Sequence, residues 1–435
     1  MPRRFPPAFL WGAATSSHQV EGDNRRNDWW QWEAREGAIH DGTRSGDACG
    51  WWAGRAEDDL ALARELGHNA HRSSIEWSRL EPTEGRWDDG AFERYRAILG
   101  ASRRLGLTNL VTLQHFTLPR WVAERGGWTW PDLVPRFARF SAEVARRLGD
   151  CIDLVATMNE PSVVTFMGYV GREWPPGLGR PTTGLGALAR MLEGHAAAYA
   201  AYKRVRPSAT IGIVLNMPVF DPARPRHPGD VLAARAQDWA FSGAVLHALE
   251  TGRLVLPLSV VPRTAAGLRR SFDFLGLNYY GRYEVQFDLR SKGTPLGRHV
   301  QEPSIRTLHN DWGQIAPEGL TRQLLRLSAL GAPLYVTENG IFDPDDSRRG
   351  DYLVSHVRAV HDAISAGADV RGYFHWSLLD NFEWAEGWST PFGLVAFDRE
   401  TGQRTPRPSA HLYRDICRDN ALELADGTAA PAHGA

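Results

Sequence analysis

Thr157-Met158-Asn159-Glu160-Pro161 and Val336-Thr337-Glu338-Asn339-Gly340 decide the fold, because each sets a glutamate at the end of an apolar, β-branched run. Two carboxylates held together can cleave a glycosidic bond, one as nucleophile and one as proton donor. The two motifs lie far apart in the chain, so only an architecture that gathers strand ends from distant segments can unite them. A (β/α)8 TIM barrel does this, since its active site is assembled at the C-terminal ends of its strands.

Working outward, short apolar runs alternate with helix-patterned stretches, the sign of βα units and a parallel sheet. Eight strands are expected, at Phe9–Thr15, Asn69–Ile75, Asn109–Gln114, Leu154–Asn159, Thr210–Asn216, Phe272–Asn278, Pro333–Glu338 and Val370–Trp376. Amphipathic helices are expected between them, at Ala56–Leu66, Phe92–Leu105, Leu133–Leu148, Ala187–Arg204, Gly319–Leu330 and Asp351–Ala366. Polar or amphipathic residues gather at or near the strand ends: Arg72, Gln114, Asn159-Glu160, Asn216, Asn278, Glu338 and Trp376. At those positions of a barrel, polarity points to catalysis. Three long segments, Glu21–Arg55, Pro218–Asp230 and Tyr280–Trp312, read as irregular βα loops forming the walls of the substrate pocket. Residues 1–425 read as one catalytic domain, and the Ala/Gly/Pro-rich residues 426–435 as a disordered tail.

The 435 residues carry 50 basic and 51 acidic side chains, for a formal charge of −1. That balance gives no electrostatic attraction to nucleic acid or an anionic membrane and suits a neutral, polar substrate. Cys49, Cys151 and Cys417 are too few and too scattered for a disulfide framework or a metal site. The N-terminal stretch lacks the apolar core of a signal peptide and no segment is long and apolar enough to span a bilayer, so a cytoplasmic protein is expected. No His-Glu-x-x-His, GxxxxGK[ST] or post-strand GxGxxG occurs, which leaves metal, triphosphate and dinucleotide roles without support. His68 and His71 read as packing residues. The 17 tryptophans divide between core packing and ring faces on which a sugar can stack.

Seven motifs in order carry a resemblance to the family 1 glycoside hydrolases, the β-glucosidase and β-galactosidase group. They are Phe9–Gly22, Arg72–Arg79, His115–Pro119, Thr157–Pro161, Asn278-Tyr279-Tyr280, Thr337–Gly340 and Trp376–Trp384. The resemblance implies a retaining β-glycosidase that releases terminal β-D-glucosyl, and also galactosyl or fucosyl, residues without a cofactor. Its partner would be a small β-glycoside or oligosaccharide. By resemblance Glu160 is the acid/base and Glu338 the nucleophile, with Arg72 and Tyr280 against the nucleophile. Asn159 resembles the residue holding the sugar 2-hydroxyl. Gln19, His115, Glu383 and Trp384 resemble the glycone ligands, Trp376 the stacking floor, and Asn278 and Phe392 further sugar-site residues.

Glu383 and Trp384 would repel and block a 6-phosphate, and Glu160 stands where the plant thioglucosidase branch has glutamine. Phe116, Ser73, the Trp312–Glu318 stretch and Ser389–Gly393 depart from the family pattern and are expected near the pocket rim. A transglycosidase on the same site and a non-catalytic sugar-binding barrel are the alternative readings. The retaining chemistry calls for carboxyl groups about 5 to 5.5 Å apart.

Overall fold

The computed structural model describes residues 2–291, 294–300 and 312–423. Eight parallel strands close on themselves: β1 Leu10–Ala14, β2 Ala70–Ser74, β3 Thr108–Thr112, β4 Leu154–Asn159, β5 Thr210–Asn216, β6 Phe274–Asn278, β7 Leu334–Asn339 and β8 Val370–Trp376. Each pairs with its neighbours in sequence, and β8 pairs with β1 to complete the ring. The strands fall within two residues of those expected. They were legible because a parallel strand is covered on both faces and reads as an apolar run: every residue of β4 and of β7 is buried.

Alternate strand residues belong to two different apolar clusters, as a period of two requires. Ala14, Ala70, Leu110, Ala156, Val214, Phe274 and Phe374 pack with Tyr280 and Trp376 inside the barrel. Trp11, Val111, Val155, Ile213, Leu275 and Val336 pack outward against the helical layer. The six expected helices are present, for instance Leu133–Arg147 and Pro181–Val205, which pack on one another. Three more of at least eight residues among the described residues, Pro228–Asp238, Ala244–Thr251 and Pro408–Asp419, were not foreseen.

Two of the segments expected to be irregular are in part ordered strand. Val219–Pro222, Arg282–Phe287 and Gly297–His299 form a three-stranded sheet above the barrel mouth. Its strands mix charged, polar and apolar residues, so they carry no apolar run to announce them. Glu21–Arg55 is also partly ordered, with a short helix at Asp28–Trp32 capped by the Asn27 side chain. The tail expected at residues 426–435 lies outside the described residues.

Candidate active site

Both glutamates arrive at the barrel mouth where the strand register breaks. The β4–β5 pairing shifts between Ala156 and Asn159, the β6–β7 pairing between Leu277 and Asn278, and the β7–β8 pairing between Val336 and Asn339. Such irregularities re-aim side chains at strand ends. Glu160 itself adopts φ 48°, ψ 59°, a left-handed conformation rare for a residue with a Cβ. Phe116 and Trp384, also on the cavity wall, share it with φ of 69° and 51°. Backbone strain of this kind collects at functional sites.

The two carboxylates have unequal surroundings. Arg72 Nη1 donates to Glu338 Oε1 at 2.5 Å and the Tyr280 hydroxyl donates to Glu338 Oε2 at 2.8 Å. Among the described residues Glu160 receives only amides, Asn278 Nδ2 at 2.6 Å and Asn216 Nδ2 at 3.0 Å, both on Oε1. Asn278 also acts on Glu338, so one side-chain amide serves both carboxyl groups. Thr337 Oγ1 fixes that amide by donating to its Oδ1 at 2.7 Å.

Burial raises both carboxyls. At Glu338 the Arg72 charge and the Tyr280 and Arg72 hydrogen bonds oppose the rise. At Glu160, burial and then the Glu338 charge push the value up to about 8, and amides are weaker opponents than a guanidinium. Glu160 is thus the carboxyl with the weaker opposition to protonation, and both its amide partners donate to Oε1.

Around them the polar groups interlock. Asn159 Oδ1 accepts from Arg72 Nη2 at 2.7 Å and from Asn278 Nδ2 at 3.1 Å, while its Nδ2 meets His115 Nε2 at 3.2 Å. Burial and the Arg72 charge hold His115 well below the ordinary imidazole range, so it is neutral. An amide donor at Nε2 puts the proton on Nδ1, which has no partner among the described residues. Gln19 Nε2 donates to Glu383 Oε2 at 3.2 Å, and Ser16 fixes the Gln19 amide from the other side. Burial lifts the Glu383 carboxyl well above its usual range. Trp376 and Trp384 lie nearly parallel to the His115 ring at 5.9 and 6.0 Å.

These groups surround a cavity of about 420 Å³. Glu160, Glu338, His115, Tyr280, Trp376, Glu383 and Trp384 line it, whereas Arg72, Gln19, Asn159, Asn278 and Phe392 stand outside its lining. Phe392 packs edge-on to Tyr280 and against Trp312, so it supports the wall and does not form it. Phe116 and Trp312 line the cavity as expected of rim positions, but Ser73, the rest of the Trp312–Glu318 stretch and Ser389–Gly393 do not. Glu21–Arg55, expected as a wall, contributes nothing to the lining, because its Trp29 packs behind Trp384 at 4.7 Å. Four of the 17 tryptophans, Trp174, Trp312, Trp376 and Trp384, reach the cavity, so most serve packing elsewhere.

Asn216 and Thr337 were missed as site residues, although Asn216 had been noticed as a polar strand end. The aromatic residues Phe166, Phe220 and Phe241 of the outer wall were also missed, since nothing in their local pattern separates them from core residues.

Comparison with known proteins agrees with this geometry. The chain is 32% identical to a β-galactosidase of Pyrococcus woesei, over 96% of this chain and 98% of that one. Among solved structures it is similar to a β-glycosidase from Pyrococcus horikoshii, with a TM-score of 0.88 and 38% identity over 98% of this chain and 97% of that chain. It is similar also to the family 1 β-glucosidase from Thermotoga maritima, with a TM-score of 0.91 and 30% identity over 97% of this chain and the whole of that chain. The sequence profile described as glycosyl hydrolase family 1 matches residues 1–422, and the chain belongs to that family.

Proposed function

We propose that this chain is a retaining β-glycosidase for terminal, non-reducing β-D-glucosyl residues, with Glu338 as nucleophile and Glu160 as acid/base. The observation that carries the reading is the inequality of the two buried carboxyls: one is clamped by a guanidinium and a phenol, the other holds a proton to about pH 8. In the first step a Glu338 oxygen bonds to the anomeric carbon as the bond to the leaving oxygen breaks, and the proton of Glu160 passes to that oxygen. The glycosyl ester then carries no charge on Glu338. The Glu338 charge, second to burial among the causes that raise Glu160, is then gone, so the Glu160 pKa falls and the group can act as a base. In the second step Glu160 takes a proton from water, the water oxygen bonds to the anomeric carbon, and the Glu338 carboxylate departs. Water and these two side chains suffice, so the reading needs no metal or organic cofactor.

The Glu383 carboxyl and the Trp376 indole, both on the cavity lining, offer an acceptor and a ring face to a neutral sugar. The glucosyl assignment draws on the Thermotoga maritima relative, and activity on galactosides on the Pyrococcus woesei one.

Azide rescue tests the roles. Glu338→Gly with added azide is expected to yield an α-glycosyl azide, and Glu160→Ala with an activated aryl glucoside a β-glycosyl azide. Wild-type turnover of cellobiose by either variant would overturn the assignment.

A further inference from the structure

Glu21–Arg55 lines none of the cavity, yet it braces one cavity wall from behind. Glu383, Trp384, Ala385 and Glu386 line that wall, on a 3-10 turn that ends at Gly387. Asp41 reaches the turn from outside. Its Oδ2 accepts from the backbone amides of Trp388 at 2.8 Å and Ser389 at 2.9 Å, and its Oδ1 accepts from the Thr43 amide at 2.9 Å and the Thr43 hydroxyl at 2.6 Å. Such charge-assisted bonds are roughly twice as strong as neutral ones. Beside them the His40 amide donates to the Ala385 carbonyl at 2.7 Å, joining the same two stretches of main chain.

Gly387 admits this approach. It sits at φ 71°, ψ −141°, a conformation that glycine alone adopts readily, and a Cβ there would lie 2.0 Å from Asp41 Oδ1. The Gly387 carbonyl accepts from the Glu383 amide at 2.7 Å, so whatever fixes the turn also fixes the backbone of Glu383. The Glu383 carboxyl is held by longer bonds, from Gln19 Nε2 at 3.2 Å and Trp376 Nε1 at 3.4 Å. Trp384 has support of its own, since its ring stacks on His18 at 5.7 Å and packs against Trp29 at 4.7 Å.

Building on Glu383 as an acceptor for the sugar, we infer that Asp41 is a positioning residue for the glycone: it pins the turn that sets where the Glu383 carboxyl meets the substrate. Asparagine at position 41 cannot replace it. Both ends of the Asp41 carboxylate face N–H donors, so one end of the amide would set its own NH2 against them.

The test is kcat/KM on an activated aryl β-glycoside, glucoside or galactoside, whichever the parent enzyme turns over faster. Asp41→Asn is expected to lower kcat/KM about ten- to a hundredfold, the scale of a small misplacement of a substrate-holding group, and to leave the alkaline limb of the pH profile where the parent has it. Thr43→Val, which keeps the Asp41 carboxylate and removes one donor to it, is expected to act in the same direction and less. Glu383→Ala supplies the decisive background: without that carboxyl, Asp41→Asn is expected to cost less than about twofold more, because the two residues act through one contact. Wild-type kcat/KM in Asp41→Asn, or the same fold loss on adding it to Glu383→Ala, overturns the positioning role. Undiminished kcat/KM in Glu383→Ala itself overturns the sugar-acceptor reading beneath it.

Discussion

At the scale of the residue, the site depends on keeping one proton on one of two neighbouring carboxyls. Glu160 is pushed up to about 8, so the acid form needed for the first step is lost as pH rises through that value. The alkaline limb of kcat/KM is therefore expected near pH 8, and a limb near the ordinary carboxyl value would contradict the assignment. Because the Glu338 charge is the second cause of the rise, Glu338→Gln is expected to lower the Glu160 pKa, readable by carbon-13 NMR of labelled glutamate. Both glutamates were legible in the sequence because their neighbours are diagnostic. Asn159 occupies Arg72 and His115, and Thr337 fixes Asn278. The outer wall of the cavity was illegible for the opposite reason: Phe166 and Phe241 lie on helical turns where an aromatic residue normally means packing.

At the scale of the element, the strand ends matter more than the strands. β7 passes so close to β8 that a Cβ on Gly340 would lie 1.9 Å from the Trp376 carbonyl oxygen. Gly340→Ala must displace either the segment after the nucleophile or the tryptophan that lines the cavity. A loss of roughly 1–3 kcal/mol in urea unfolding is expected, as in overpacked cores, together with a kcat/KM at least tenfold lower. Gly186, in the helix Pro181–Val205, has nothing within 4 Å of the added atom. Its replacement by alanine is expected to stabilise by about 0.5–1 kcal/mol and leave activity unchanged. The contrast separates steric exclusion from helix propensity. It also explains why strands and long helices were readable while Val219–Pro222 and Arg282–Phe287 were not. Periodicity reports burial on a regular face, and these two strands of the small sheet are buried irregularly, with Phe220 half-exposed and Val285 fully covered.

At the scale of the molecule, closing eight strands around small residues buries titratable groups of both kinds, and their opposite shifts shape the pH range of the fold. Burial lowers His68, His71 and His195 to about 3 and His356 to about 4, with His115 and His375 also well below the ordinary range. A histidine held neutral in the fold but free to charge when unfolded costs nothing above about pH 6.5. Below that the unfolded chain binds the proton first, and each such group removes up to about 1.4 kcal/mol per pH unit until its folded pKa is reached. All six act in the same sense, so the fold loses stability as pH falls below about 6.5. The raised carboxyls work in the other sense: Glu160, at about 8, and Asp28, at about 7, keep protons in the fold that the unfolded chain releases above about pH 4, so their stabilising contribution is lost progressively from about pH 4 and is gone once pH passes those values. The melting temperature is thus expected to peak between about pH 6 and 7 and to fall steeply below about pH 5, as calorimetry across pH 4 to 9 would check. His68 isolates the acid limb, since neither ring nitrogen has a hydrogen-bond partner among the described residues and burial is the sole cause of its shift. His68→Leu is expected to raise the melting temperature more at pH 5 than at pH 7, whereas an equal change at both would show that His68 does not contribute to the acid limb.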